Sequence, residues 1–335
     1  MSPARIIERL VQLPVVLLGV SLVVFLMMTL TPGDPVEIML ADQRASAEQA
    51  EILRHDLGLD RPIAERFFVF LGNAARGDFG VSFFHRRPVF DVIAERLPAT
   101  IELTLAALLL AVLVAVPLGV AAAVHRDSWL DRALSAVALF GVSLPGFWFG
   151  ILLILLFAVQ LGIFPVGGRI PFGAEVPRVT GFLLIDTLWA GRPDAFLRAL
   201  SHLALPALTL GLPSAALLAR VIRSAMAEVL ATDYVLFAEA KGLSRRRVLF
   251  LHALKNALIP AVTVLAIETG SLLGGNMIVE TVFGWPGLGR LVVESIFARN
   301  YPLVQAAVLL YAVTYVSLNF CADLLYAALN PKVRL

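Results

Sequence analysis

Six stretches of this 335-residue chain are apolar for long enough to cross a bilayer, and that repetition limits what the chain can fold into. A spanning helix needs about 20 mostly apolar residues. Leu10–Leu30 and Leu103–Val124 carry no charge, and the second holds Pro117. Leu134–Gly162 is uncharged around Pro145, and the shorter Leu203–Ala219 holds Pro206 and Pro213. Ile259–Val279 contains one acid, Glu268, and Pro302–Leu325 contains one, Asp323. Proline is tolerated in such helices because neighbouring helices and local distortion re-satisfy the freed backbone groups. Composition agrees: only 16% of residues are charged, against about 25% in an average soluble domain. A disordered chain, a disulfide scaffold and a typical cytosolic enzyme are excluded. The expected fold is an all-α polytopic membrane protein with six transmembrane helices.

Arg5 and Arg9 precede the first stretch, as in a signal peptide. The run is longer than the roughly 7–15-residue core of such a signal, and it ends in Thr31-Pro-Gly-Asp-Pro35 rather than a small-residue cleavage site, so a retained helix is expected. Orientation follows from Lys and Arg in short loops. Arg5, Arg9, Arg126, Arg132, Lys332 and Arg334 fall on one side of a six-span chain, together with Arg220, Arg223, Lys241, Arg245, Arg246, Arg247 and Lys255 in the 220–256 loop. Both termini and that loop are therefore predicted to be cytoplasmic. The opposite side receives 31–99, in which Ser46–Leu57, capped by Ser46, and amphipathic Ile63–Ala75 read as helices, Gly77–Gly80 as a turn, and Val89–Leu97 as a helix entering the second span. Gly181–Ala190 reads as an interfacial helix too short to span. The chain divides into an N-terminal helix (1–30), an outer region (31–99) and a membrane core (100–335).

The net charge of +2 is too balanced for nucleic-acid binding. The three lysines, Lys241, Lys255 and Lys332, do not follow glycine, so the chain carries no Walker A loop. The histidines are scattered, no metal-ligand cluster is visible, and Gly141-Val-Ser143-Leu-Pro-Gly146 misses the nucleophile-elbow spacing. No catalytic residue is assigned, and a membrane enzyme is the least supported reading. The single cysteine, Cys321, reads as a small buried hydrophobe.

Glu268 is an ionisable group in mid-span. It reads either as part of a translocation route or gate, or as a carboxyl hydrogen-bonded to a neighbouring helix. Asn276 joins it as a candidate path residue through its polarity. Glu102 and Asp323, near span ends, read as interfacial anchors. Gly270-x-x-x-Gly274 permits close helix packing. The 220–256 loop is water-facing yet apolar: a helix over Tyr234–Lys241, a break at Gly242, then Ser244 capping Arg245–Leu254. It reads as a surface for another protein, or as an amphipathic pair held on anionic lipid.

This loop, Tyr234-Val-Leu-Phe-Ala238-Glu-Ala240-Lys-Gly242-Leu-Ser244 with His252-Ala-Leu-Lys-Asn256-Ala-Leu-Ile-Pro260, resembles the coupling segment of binding-protein-dependent ABC importer permeases of the dipeptide/oligopeptide/nickel branch, as a B-type subunit. Thr31–Pro35, Gly77-Asp-Phe-Gly80-Val-Ser82, Arg96-Leu-Pro98-Ala-Thr100 and Glu280-Thr-Val-Phe283-Gly-Trp285-Pro286-Gly287-Leu-Gly289 are similar to the same branch. Only Ala238 and Gly242 match the general importer motif cleanly, and Lys255 stands where its proline would be. The resemblance implies a type I importer permease fold with an extracytoplasmic helical insertion, in a bacterial inner membrane. It implies a second homologous permease, two cytoplasmic ATPases that bind ATP and Mg, and an extracytoplasmic solute-binding protein. Tyr234, Leu236, Phe237, Ala238, Glu239, Ala240, Lys241, Gly242, Leu243, Ser244 and Arg245 would then couple to the ATPases. The implied solutes are short peptides, glutathione-like molecules or nickel chelates. The alternative from a different class is an ion-driven secondary transporter using Glu268.

Overall fold

The computed structural model describes residues 3–30, 35–40, 47–171, 173 and 176–329. In chain order the helices are α1 Pro3–Leu30, α2 Pro35–Leu40, α3 Ala47–Asp56, α4 Ile63–Ala75, α5 Val89–Val124, α6 Trp129–Ser143 and α7 Gly146–Leu153. A π-helical stretch, Ile154–Gln160, continues α7. Then come α8 Leu183–Trp189, α9 Pro193–Leu230, α10 Asp233–Ala240, α11 Arg245–Arg247, a second π stretch over Val248–Ala253, α12 Leu254–Gly275, α13 Met277–Val282, α14 Leu288–Phe297 and α15 Tyr301–Leu329.

All six apolar stretches are helical, and their packing shows the alternating directions that six crossings require. Ala99 and Leu103 of α5 cluster with Leu203 and Ala207 of α9, while Ala115 and Ala123 cluster with Leu218 and Met226 further along, so α5 and α9 run parallel. Their backbones approach closely: a Cβ at Gly119 would lie 2.8 Å from Ile222 Cβ. Between them the third stretch runs back, with Asp131 beside Arg223 at one end and Leu153 packed near Leu205 at the other. Leu108 clusters with Leu272 late in α12, while Val120 and Ala123 cluster with Ala257 near its start, which makes α12 antiparallel to α5. Val89 and Val92 meet Leu303 and Ala306, which makes α15 parallel to α5. Met28 joins Tyr301 and Val304, which sets α1 antiparallel to α15.

Among the described residues, four helical segments are long and apolar enough to cross a membrane outright: Val89–Val124, Pro193–Leu230, Arg245–Gly274 and Tyr301–Ala322. Several of these helices outrun the apolar stretches read from sequence. The 220–256 loop contracts accordingly, because α9 continues to Leu230 and helix resumes at Arg245. The third stretch is not continuous as expected: Leu144 turns extended (φ −81°, ψ 134°) ahead of Pro145. A residue before proline is disfavoured in the helical region. Pro117, Pro206 and Pro213 are accommodated within unbroken helices. The fifth stretch stops at Gly275, with Asn276 in the break and α13 beyond it.

α3, α4 and the start of α5 fall where the sequence predicts helices, the sequence does not predict α2, and Ser46 lies outside the described residues, as does most of Thr31–Pro35. Gly270 packs on α15, where a Cβ would sit 3.1 Å from Tyr315, but Gly274 meets nothing. Cys321 is exposed rather than buried, consistent with an outward, lipid-facing position on α15.

Candidate functional site

The residues of the 231–244 turn divide into a small core and an exposed face. Val235, Ala238 and Val248 are buried together, with Leu243 packed on them. The helical period puts Tyr234, Leu236 and Phe237 on the other side, at 44%, 52% and 61% exposure. Glu239, Ala240 and Arg245 are also exposed. The Lys241 ammonium sits 4.5 Å from the Phe237 ring centroid, a cation–π contact that keeps the ring on the surface. Gly242 has φ +78°, and this left-handed conformation ends α10 and reverses the chain toward α11. Ser244 is extended at the N-cap position, but its side chain makes no capping bond, contrary to the expectation. The turn is braced from α12 instead: Asn256 Nδ2 donates to the Tyr234 hydroxyl at 2.7 Å.

At the same end, Asp131 accepts from Arg223 Nη2 at 2.6 Å and from its Nε, and also from the Asp127 backbone N–H at 3.0 Å. The Arg223 bonds hold the Asp131 carboxyl below the usual carboxylate range although burial opposes this.

The opposite end of the bundle holds a polar knot. Glu280 is fully buried. Its carboxylate accepts from Thr100 Oγ1 at 2.7 Å and from the Arg290 backbone N–H at 2.9 Å, while the Leu288 N–H donates to Thr100 Oγ1 at 2.7 Å. Trp285 Nε1 donates to the Ala99 carbonyl at 2.9 Å. Gly287 and Gly289 leave room for the carboxylate, since a Cβ at either would strike it. Burial pushes the Glu280 carboxyl above its ordinary range, against the hydrogen bonds that favour its charged form. The 280–289 and 96–100 motifs therefore form one structure.

Neighbouring bonds extend the knot. Glu102 is buried and accepts from Arg169 Nη2 at 2.6 Å and from the Leu184 N–H at 2.8 Å, so it is a core ion pair and not an interfacial anchor. Gly168 N donates to the Phe283 carbonyl at 2.8 Å. The 77–82 motif is tied in separately, with Asn300 Nδ2 donating to buried Ser82 Oγ at 2.6 Å.

Glu268 is half-buried and accepts from Ser214 Oγ of α9 at 2.7 Å. Asn276 is 5% exposed, and its Nδ2 has no partner. Among the described residues, Thr104 Oγ1 is the other such atom. The Asp323 side chain lies outside the described residues. Sequence reasoning missed Glu280 as a structural centre, although an acid closing an apolar run is a recognisable signal.

A family model described as "Binding-protein-dependent transport system inner membrane component" matches residues 115–335, and its N-terminal counterpart matches residues 4–104. The chain belongs to this family. As a family member it is 45% identical over 316 residues to the "Di/tripeptide transport system permease protein DppB" of Pseudomonas aeruginosa, covering 94% of each chain. It is 41% identical to the "Dipeptide transport system permease protein DppB" of Escherichia coli, covering 98% of each. It is also 40% identical to the "Glutathione transport system permease protein GsiC" of Escherichia coli, covering 98% of each. A solved structure titled "Inward facing conformations of the MetNI methionine ABC transporter" matches with a TM-score of 0.50 at 19% identity, covering 69% of this chain and 93% of that one. That likeness concerns the fold alone, and it agrees with the type I importer permease architecture of this inner-membrane family.

Proposed function

We propose that this chain is the permease subunit of an ATP-driven importer of short peptides, paired with a second, homologous permease. Two ATPases dock on the 231–244 turn and bind the ATP and Mg that this chain has no P-loop to hold. A solute-binding protein delivers the peptide to the face carrying the 31–99 insertion. Residues 100–335 form the permease core, and both termini lie on the cytoplasmic side.

One observation carries the coupling role: Leu236 and Phe237 stand exposed on a turn whose fold rests on Val235, Ala238 and Val248 instead. Exposed apolar residues on a braced turn fit a protein partner. The peptide assignment is supported by the names of the relatives. In the co-expressed complex, Leu236→Asp with Phe237→Asp is expected to leave the permease's melting temperature nearly unchanged, since surface changes typically cost within about 0.5 kcal/mol. The ATPases are expected to fail to co-purify, and ATP-driven dipeptide uptake to be lost. Full uptake by the double variant would remove the turn from the coupling machinery.

A further inference from the structure

A cavity of about 300 Å³ lies between α5, α6, α7 and α9, toward the end of the bundle that carries the 231–244 turn. Small residues make the room: Ala122 of α5, Gly141 of α6, and Ala216 and Ala219 of α9. Leu118, Leu134 and Phe149 contribute to the rest of an apolar wall. Val137 in that wall is 69% exposed, so the cavity opens outward from the bundle. Among the described residues, its polar side chains are Ser135, Arg220 and Arg223, and no acid lines it.

The two arginines differ. Arg223 is held by Asp131. Arg220 is exposed and has neither an ion pair nor a side-chain hydrogen bond among the described residues. Along α9 the cavity runs from Leu212 to Arg220, which is about 12 Å of helix. One leaflet of a bilayer's hydrocarbon core is about 15 Å deep. The apolar part of the cavity therefore has nearly the depth of a leaflet, with a free guanidinium where the headgroups begin. A helix is about 10–12 Å across with its side chains, too wide for this space. A single unbranched chain is not.

We propose that this cavity seats one acyl chain of an anionic phospholipid whose phosphate rests on Arg220. An unfilled space beside packed helices forfeits dispersion contacts. A hydrocarbon chain restores them and asks for no polar partner, and this wall offers almost none. The Arg220 fork meets the phosphate with charge-assisted hydrogen bonds. Basic pockets between membrane helices bind anionic headgroups in this way. The site is independent of which solute the importer carries.

The test uses the co-expressed importer complex in nanodiscs made from an equal mixture of phosphatidylglycerol and phosphatidylcholine. The complex is released into mild detergent, and its retained lipids are counted by native mass spectrometry. Ala216→Trp fills the cavity and is expected to retain one phospholipid fewer than wild type. The lipid lost is expected to be phosphatidylglycerol rather than phosphatidylcholine by about fivefold, as one arginine near a headgroup implies. Arg220→Gln keeps the lipid count but loses that preference, and Arg220→Lys retains part of it. Arg220 is exposed, so this arm stands if the tryptophan variant does not fold. A folded Ala216→Trp complex with the wild-type lipid count, or an unchanged preference in Arg220→Gln, overturns the site. So does a photoreactive residue at Val137 that cross-links to the second permease instead of to lipid, since protein would then cover the cavity.

Discussion

Where α13 meets α5, a carboxylate, a threonine and two glycines are closed off from solvent, and each polar group described there has a partner from a distant part of the chain. At the other end Leu236 and Phe237 stand on a turn held by three buried residues and one side-chain bond from α12. The first arrangement uses its polar groups up internally. A buried network of this kind rigidifies when fully satisfied and is costly when broken. The second leaves apolar surface unspent, which suits a moving partner. Under the proposed function, one end carries stability and the other coupling, and substitutions at each end should separate the two.

Gly289→Val should have the largest effect on stability. A Cβ there would lie 2.8 Å from Met277 Cα, a backbone atom that cannot rotate aside. Overpacking of this kind costs about 1–3 kcal/mol, occasionally more, and the displaced Glu280 would lose partners as well. We expect a loss of about 3 kcal/mol or more, read as a strongly lowered melting temperature in detergent. A Gly289→Val chain that melts like wild type would show that the knot is loose, and the contrast would fail.

Asp131→Asn comes next, at the end that carries the 231–244 turn. It removes the charge that holds Arg223 and joins α6 to α9. Arg223 is partly exposed and water can replace part of the pairing, so the expected loss is about 1–2 kcal/mol. The pH dependence has a definite sign. The folded-state pKa of Asp131 is lowered, chiefly by the Arg223 hydrogen bond, so its contribution is complete above the unfolded value of about 3.9 and disappears as pH falls through the folded value. The melting temperatures of wild type and Asp131→Asn should therefore differ at neutral pH and converge in strong acid. A gap that persists there would mean that the carboxylate charge is not what joins the helices.

The spans were legible because they are apolar runs, a local property. The start of α5 at Val89 was legible as a helix entering the second span, but the extension of α9 was not: it begins at Pro193, where charged residues such as Asp194 and Arg198 hide a helix that runs past its apolar stretch. The 231–244 turn was legible through Gly242, whose conformation needs no distant partner. The knot was not, because Thr100 and Glu280 are 180 residues apart, and nothing local to either says that they meet. The 96–100 and 280–289 motifs could be recognised separately by resemblance. Their joint role is a tertiary fact. Glu268 is a second case, since its hydrogen bond from Ser214 of another helix is likewise invisible in the local sequence.

Gly242→Val should move stability least and function more. Its φ of +78° is left-handed, and a Cβ there would meet nothing within 4 Å. The whole cost is therefore backbone strain, about 1–2 kcal/mol, and the turn can relieve it locally by rotating α10 without disturbing the helices behind it. We expect a small drop in melting temperature together with a severalfold loss of ATP-driven uptake and persisting ATPase activity, because Leu236 and Phe237 would no longer face the partner correctly. Gly242→Asn isolates the cause, since asparagine enters the left-handed region more readily than valine. It should retain most of the uptake. If valine and asparagine behave alike, the turn's conformation is not what the partner reads, and the exposed face alone must account for coupling.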